Sequence, residues 1–279
     1  MTIAGRRVPF TACIGGVIVL LTVVMILFAP WIAPYQQTKI VGGVWDPPNA
    51  HTWLGTDSIG RDMLSRLIYG GRTSVSIALI ATFFTMVIGV GLGFLAASTN
   101  KVVDNILSRI VDILLAMPIL IFGLMVFAVL GTSIPIMIAT ISILESTRVF
   151  RLARAVAMSI TVMDYVQVAR LRGEGVGWII LREVLPNAVP PLVAEFGLRF
   201  CFTFLFIASL SFLGLGIQPP AADWGSMVHD NAQAISFGGY APLYPAAAIA
   251  IVTIGVNLIV DWLLSIHAMP AGASAGAEV

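Results

Sequence analysis

Charged side chains are scarce in this 279-residue chain, at 10% of the residues, whereas 58% are hydrophobic and the mean hydropathy is +0.98. A water-soluble domain carries about a quarter charged residues, because its surface must be covered mainly by groups that tolerate water. A soluble globule of this length could not bury so much apolar side chain. The shortage of charge therefore argues against a soluble enzyme and predicts an all-α membrane protein.

Cysteine and histidine are too few and too scattered to build a metal centre. Cys13 and Cys201 lie in separate apolar runs, which argues against a disulfide or a thiolate site. No recognised zinc spacing joins the three histidines, His51, His229 and His267. We therefore predict no metal and no cofactor, and the net charge of +1 gives no reason to expect a nucleic acid partner.

Lysine occurs only twice, and its absence elsewhere bears on catalysis. Neither Lys39 nor Lys101 follows the glycine pattern of a nucleotide-binding loop, and no Gly-x-Ser-x-Gly elbow is present. The sequence therefore predicts no catalytic residues, and any ATP hydrolysis would belong to another polypeptide.

Long charge-poor runs are abundant, and each can supply the roughly 20 apolar residues that a spanning helix needs. The runs are residues 8–37, 73–100, 113–144, 188–215 and 244–264. Turn residues from Gly131 to Pro135 interrupt the third run, so it holds two spans. The second of these continues past Glu145 toward Arg148, and we expect this ionisable pair near its cytoplasmic end. Six transmembrane helices are predicted.

The predicted organisation places both termini in the cytoplasm. Ten of the fifteen basic residues fall in segments on the amino-terminal side of the membrane and four on the other side. The predicted regions are a first span with its cytoplasmic end (1–35), an outer segment (36–72), a five-helix domain (73–264) and a tail (265–279). Aromatic and charged residues in the outer segment predict a short helix on the outer membrane surface.

One predicted span contains two opposite charges. Glu195 and Arg199 are spaced i, i+4 and therefore lie on one helical face. Because a charge inside a span is costly, we expect the two to form an intramembrane ion pair that faces protein or water. The pair is either structural or has a role in gating or substrate contact.

The segment from 148 to 187 is too long for a simple connector and contains six arginines. Asp164 is predicted to cap a helix that starts at Tyr165, and Gly173 is predicted to end it in a left-handed turn. Pro186 is predicted to mark the entry to the next span. Composition alone leaves two alternatives, a basic loop on the membrane surface or a docking site for a partner.

This segment resembles the cytoplasmic signature of permease subunits in bacterial binding-protein-dependent importers of the ATP-binding-cassette (ABC) superfamily. That signature reads Glu-Ala-Ala, three residues, Gly, nine residues, Ile-x-Leu-Pro. The matching positions are Gln167, Val168, Ala169, Gly173, Glu183, Leu185 and Pro186. The spacing is kept in full, but Gln167 replaces the acidic residue and Glu183 replaces the isoleucine.

Further stretches resemble the second permease subunit of the peptide and nickel branch, over about residues 25 to 264. They are Leu54–Asp57, Gly60–Asp62, Ser65–Arg66, Arg109 to Pro118, Ser211–Gly216, Pro219–Pro220 and Trp224–Gly225. The carboxyl end departs from the family: Asp261 matches, but Leu264 and Ser265 replace the usual charged residues.

The resemblance implies a type I ABC importer permease fold with cytoplasmic coupling helices, in the bacterial inner membrane. It implies a second homologous permease, two ATPase subunits and an extracytoplasmic solute-binding protein as partners, with peptides or similar solutes as cargo. The residues it assigns to ATPase docking are Tyr165, Gln167, Ala169, Gly173, Glu183, Leu185 and Pro186. The outer segment would either meet the binding protein or act as a structural belt.

An alternative to this interpretation is a self-contained secondary transporter or channel. Such a protein would be expected to show internal hydropathy symmetry between its halves. No convincing repeat is present in the sequence.

Overall fold

The computed structural model describes residues 2–3, 6–7 and 9–268, and these are mainly helical. The helices are α1 (Phe10–Ile32), α2 (Met63–Ser98), α3 (Lys101–Ala116), α4 (Ile119–Leu130), α5 (Ile134–Thr161), α6 (Asp164–Leu171), α7 (Val176–Ile179), α8 (Leu185–Phe212), α9 (Trp224–Asp230) and α10 (Leu243–Ala268). A π-helical turn, Ile180–Val184, joins α7 to α8, and a 3-10 helix, Ala232–Phe237, follows α9. Two short strands, β1 (Thr2–Ile3) and β2 (Arg6–Arg7), pair antiparallel.

Four helical stretches in the described part of the chain are long and apolar enough to cross a membrane. They are α1, α2, the continuous stretch from α7 to α8, and α10. The bent pair α3–α4 supplies a fifth if it counts as one span. With 28 residues, α5 is long enough to be a sixth span. Its four charged residues make it too polar to be recognised as a span by composition. The predicted six spans are therefore only partly recovered by this test.

The third predicted span differs most from expectation. The helix breaks at Met117 and Pro118, and α3 and α4 meet at 89°. Proline disfavours helical geometry in the residue before it, so the predicted start at Ile113 belongs to α3. What remains is the 12-residue α4, about 18 Å long, which is shorter than the roughly 30 Å hydrocarbon core.

The second helix starts ten residues earlier than the apolar run that predicted it. The carboxylate of Asp62 accepts a hydrogen bond from the backbone N–H of Ser65 at 2.7 Å and caps α2 at Met63. Residues 33–62 form turns and two isolated bridges, with no helix among them. Residues 63–72 of the predicted outer segment are part of the long helix α2, so the predicted separate short helix on the outer surface is wrong. At the other terminus, α10 continues past the predicted end at Leu264, and residues 269–279 of the predicted tail lie outside the described residues.

Close packing of α2 against α5 forms the centre of the bundle. A Cβ added at Gly89 would lie 2.5 Å from Val149 Cβ, and one added at Gly93 would lie 2.8 Å from the Phe150 carbonyl oxygen. The hydroxyl of Ser142 also donates to the Ala81 carbonyl at 3.0 Å. Small residues therefore let these two backbones approach, as in other membrane helix pairs.

The bundle has two chemically different ends. We call one end the basic end, where α5 leads through α6 and α7 into α8. At the opposite end, the loop of residues 33–62 packs on the segment 213–242. Asn231 joins the two, because its Oδ1 accepts hydrogen bonds from Trp45 Nε1 and from the Ser58 backbone N–H.

Candidate functional site

The basic end carries a helical hairpin, defined here as residues 164–187. Its first helix, α6, begins at Asp164, and Met163 is the N-cap without a side-chain hydrogen bond. The predicted cap at Asp164 is therefore wrong by one residue. The acidic side chain instead lies in the first turn, where it interacts favourably with the positive end of the helix dipole.

Gly173 ends α6 in the predicted left-handed turn, with φ of +82°. The backbone N–H of Gly173 donates to the Arg170 carbonyl at 3.0 Å, and the N–H of Glu174 donates to the Ala169 carbonyl at 3.2 Å. These bonds satisfy carbonyls that the helix end leaves free. Glycine adopts this φ without the steric cost that other residues incur, which explains its place in the turn.

The second limb of the hairpin is continuous with the long helix that ends at Phe212. The predicted entry at Pro186 agrees with the start of α8, whose second residue is Pro186, but the π-helical turn before it continues the helical stretch without a break. Proline has no N–H to donate to the preceding turn, and a local π-helical turn is a recognised way to accommodate such an interruption. The hairpin and the following span therefore form one mechanical element.

The inner face of the hairpin packs on the bundle. Val166 and Ala169 from α6 are fully buried, as is Val184. Val166 and Val184 belong to a hydrophobic cluster with Ala153 and Ala157 of α5 and with other buried residues of α2, α7 and α8. This packing fixes the hairpin against the ends of the helices that it joins.

The seven residues that the resemblance assigned to docking divide by exposure. Four of them are exposed: Tyr165, Gln167, Gly173 and Pro186. Glu183 and Leu185 are half-buried, and Ala169 is buried. The hairpin also exposes apolar residues that sequence reasoning missed, among them Val168 and Leu171, the latter 88% exposed. Their exposure was not predictable without the orientation of α6.

Gln167, which departs from the family signature, has a contact inside this chain. Its Nε2 donates to the Thr161 carbonyl at 2.9 Å, in the last turn of α5. The amide therefore satisfies a free carbonyl at a helix end and helps to set the angle between α5 and α6. A carboxylate at this position could not donate this hydrogen bond.

A second candidate site lies within the helices, and we call it the Arg199 bridge (Glu145, Glu195, Arg199). Arg199 Nε lies 2.7 Å from Glu195 Oε1, and Arg199 Nη1 donates to Glu145 Oε2 at 3.0 Å. The structure therefore brings together the two residues paired by sequence and adds a third. The bridge connects α8 to α5, the two helices that lead into the hairpin.

Sequence reasoning placed Glu145 with Arg148 near the end of a span, and this was wrong. Glu145 is only 3% exposed, lies in the interior of α5 and bonds Arg199 instead. Arg148 is exposed and makes no ion pair among the described residues. The partner of Glu145 is 54 positions away on another helix, so no local spacing could have identified it.

At the opposite end, a third charged group is defined as the Asp57 cluster (Asp57, Arg61, Arg66). Asp57 Oδ2 lies 2.7 Å from Arg61 Nε and 3.1 Å from Arg66 Nε, and all three residues are buried. Asp57 Oδ1 also accepts hydrogen bonds from the backbone N–H groups of Ile59 and Arg61. The cluster folds the outer segment on itself, which supports the structural-belt alternative for this part of the segment.

Comparison with known proteins agrees with this architecture. Residues 89–268 match the family described as binding-protein-dependent transport system inner membrane component, and residues 11–49 match the N-terminal TM domain of oligopeptide transport permease C. A dipeptide transport system permease protein from Alkalihalophilus pseudofirmus is 32% identical over 90% of this chain and 83% of its own length. A di/tripeptide permease protein from Pseudomonas aeruginosa is 35% identical over 90% of this chain and 85% of its own length.

Other matches extend the comparison. A glutathione transport system permease protein from Pectobacterium atrosepticum is 31% identical over 90% of this chain and 84% of its own length. Among solved structures, a chain in the crystal structure of an amino acid ABC transporter with histidines matches with a TM-score of 0.51 and 18% identity. The match covers 72% of this chain and 92% of that chain, and it shows the fold.

These matches explain the absence of a catalytic motif and the presence of several apolar helices. Members of such transport systems work with ATPase and solute-binding proteins. The chain therefore belongs to the family of binding-protein-dependent transport system inner membrane components, and it is a multi-pass permease subunit of an ABC importer.

Proposed function

We propose that this chain is the second permease subunit of an importer for peptides or similar small solutes. It forms the translocation pathway together with a homologous permease, and two separate ATPase subunits supply the energy. The peptide and glutathione transport named for its relatives supports this cargo class. The basic end faces the cytoplasm together with both termini, in agreement with the bias of lysine and arginine toward that side.

The observation that carries the proposal is the hairpin, which is joined directly to two long helices. An ATPase that moves the hairpin would tilt α5 and α8 together, because no flexible linker separates the hairpin from either helix. Tyr165, Gly173 and Pro186 lie on the exposed side and are proposed to meet the ATPase. Ala169 and Leu185 act from within by holding the hairpin on the bundle, and Gln167 and Glu183 flank the contact.

Exposed apolar side chains on the hairpin support docking in preference to a simple basic loop. Val168 and Leu171 are well exposed, and Arg172 lies over the Trp178 ring at 5.8 Å. Apolar groups that extend into the cytosol are typical of a surface covered by a partner. The opposite end would meet the solute-binding protein through exposed aromatic residues such as Trp53, Phe237 and Tyr240.

Leu171→Asp tests the docking site without disturbing the fold, because the side chain is almost fully exposed. We expect the variant to lose copurification with the ATPase subunits and to lose ATP-dependent dipeptide uptake in proteoliposomes. The matched control is Ile40→Asp, an exposed apolar residue at the opposite end, which should retain both. Normal ATPase binding by Leu171→Asp would contradict the docking proposal.

The secondary-carrier alternative is tested by omitting the ATPase subunits. We expect the paired permeases alone to accumulate no dipeptide, with uptake restored when ATPases, binding protein and ATP are supplied. Uptake by the permeases alone would favour the alternative.

A further inference from the structure

Four charged residues lie in α5 and α8 within about 30 Å of the helix ends at Ile134 and Phe212. Glu145 and Arg148 lie about 17 and 21 Å along α5 from its start at Ile134, at 1.5 Å per residue. Arg199 and Glu195 lie about 20 and 26 Å along α8 from its end at Phe212. For a hydrocarbon core about 30 Å thick that begins at Ile134 and Phe212, all four fall within it, in the half toward the basic end.

The charges are not fully paired within the chain. Arg199 is shared by Glu145 and Glu195, so the Arg199 bridge has one negative charge in excess. Among the described residues, each of the two carboxylates contacts Arg199 through one oxygen, Glu145 at 3.0 Å and Glu195 at 2.7 Å. Arg148 carries the compensating positive charge but has no carboxylate within 4 Å in the described part of the chain. In the described part of the chain, Glu195 thus shares its cation with Glu145, and Arg148 has no carboxylate in direct contact.

An aromatic ring lies between the two bases. The guanidinium carbon of Arg199 is 4.8 Å from the centre of the Phe202 ring, and that of Arg148 is 6.0 Å away. Phe202 is 47% exposed and Arg148 is also exposed on this chain. Arg148 and Phe202 therefore form an exposed pair between α5 and α8, and Glu195, whose side chain is 11% exposed, is linked to them through Arg199. We call Arg148, Glu195 and Phe202 the charged corner.

Contact with lipid is energetically unfavourable for the charged corner. An arginine that faces hydrocarbon costs several kcal/mol, and intramembrane charges nearly always face other protein or a water-filled cavity. The charge pattern also fits a particular occupant. An ammonium group would compensate the excess charge at Glu195, and a carboxylate would pair with Arg148, which has suitable donors for it.

We propose that the charged corner lines the water-filled pathway and binds the two charged groups of a zwitterionic solute, such as a small peptide. Glu195 takes the ammonium group and Arg148 takes the carboxylate, while Glu145 holds Arg199 in place from behind. This inference rests on the proposed import of peptides, and it assigns to this subunit a solute contact within the membrane.

Water access to the charged corner is tested by cysteine labelling of the assembled transporter. Phe202→Cys is made in a background where Cys13 and Cys201 are replaced by serine and alanine, and it is exposed to a cationic methanethiosulfonate reagent. We expect labelling about tenfold faster than for Leu21→Cys, an exposed apolar position on α1, because a thiol in lipid stays protonated and unreactive. Arg148→Cys should react in the same way. Failure of both to react in a transport-competent complex would overturn the proposal.

Solute binding is tested by protection with dialanine. We expect dialanine to slow labelling of Phe202→Cys several-fold, and N-acetyl-dialanine amide to give no protection. Adding Glu195→Gln or Arg148→Gln should raise the half-protecting dialanine concentration about tenfold, the effect of one charge-assisted hydrogen bond. Arg151→Gln, which removes a charge from the exposed pair with Asp112, is the matched control and should leave protection unchanged.

The proposal would be overturned if dialanine gave no protection. It would also be overturned if dialanine protected Glu195→Gln and Arg148→Gln as well as it protects the parent. ATP-dependent dialanine uptake by the unmodified complex is measured in parallel. If the unmodified complex takes up dialanine but the cysteine variants show no labelling or protection, only the proposal for the charged corner is refuted. If the unmodified complex takes up no dialanine, the proposed function is refuted.

Discussion

The two ends of the bundle use buried charge in opposite ways. In the Asp57 cluster one carboxylate is shared by two arginines, and backbone N–H groups complete its hydrogen bonds. In the Arg199 bridge one arginine is shared by two carboxylates, and no backbone group takes part. The first joins residues within ten positions of one another, whereas the second joins two long helices.

This difference separates a scaffold from a moving part. A carboxylate held by fixed amides has no alternative arrangement, so the Asp57 cluster locks the opposite end. A bridge between side chains on two helices can reform in another register when the helices tilt, and bistable contacts of this kind accompany conformational switching. We therefore expect changes at the Asp57 cluster to lower stability alone, and changes at the Arg199 bridge or the hairpin to affect coupling to ATP hydrolysis as well.

The largest expected effect is the loss of stability in Asp57→Asn, which removes the carboxylate of the Asp57 cluster. Two buried arginines would lose their shared carboxylate, and breaking a buried ion pair costs about 3–5 kcal/mol. The detergent-solubilised protein should unfold at a clearly lower temperature in a fluorescence-monitored melt. Asp112→Asn is the control, because its pair with Arg151 is mostly exposed and worth at most about 1 kcal/mol. Equal melting temperatures would remove the distinction between the two ends.

Arg199→Gln removes the cation of the Arg199 bridge, and a double-mutant cycle measures the interaction energy between Arg199 and Glu195. We expect a destabilisation of about 3 kcal/mol, because two buried carboxylates would remain without their cation. Adding Glu195→Gln should recover part of this loss, with a coupling energy of about 0.5–3 kcal/mol. Melts of the two single variants and the double variant provide the cycle. Strict additivity would mean that Glu195 and Arg199 do not depend on each other.

Gly173→Ala tests the turn of the hairpin at the basic end. An added methyl group would meet nothing within 4 Å, so any cost arises from φ of +82°, about 1–2 kcal/mol for a non-glycine residue. Gly175→Ala is a matched control with equally open space but φ of −74°. We expect ATP-dependent uptake to fall in the first variant and to remain in the second. The same uptake in both would show that the turn geometry is not needed for coupling.

Local rules predicted the parts of the site that depend on one helix or one turn. Gly173 was identifiable because a left-handed turn requires glycine, and Glu195 with Arg199 because an i, i+4 spacing places them together. The missed partner, Glu145, reaches Arg199 only after α5 packs beside α8. Contacts between distant helices depend on tertiary packing, which the sequence pattern does not contain.

Errors in the helix boundaries have similarly specific causes. The charge-free run starts at Thr73, which left Arg66 in the predicted outer segment, but Arg66 is buried against Asp57 within α2, and the helix begins before it. The turn signal at Gly131 was recognised, whereas the break at Pro118 was not, because apolar residues continue on both sides of it. In each case a contact or a backbone restriction outweighed the hydrophobic pattern.

The smallest expected effect concerns Gln167, where this chain departs from the signature of its family. Gln167→Glu restores the acidic residue but replaces the Nε2 donor to the Thr161 carbonyl with a group that only accepts, which costs about 1 kcal/mol. Because this bond joins the end of α5 to α6, we expect the variant to couple ATP hydrolysis to uptake less efficiently while the fold persists. The measurement is the ratio of dipeptide transported to ATP hydrolysed, with Gln167→Ala beside it. A drop in both variants would assign the effect to the lost donor, and a gain in Gln167→Glu alone would show that the ATPase contact of the family acid outweighs the cap.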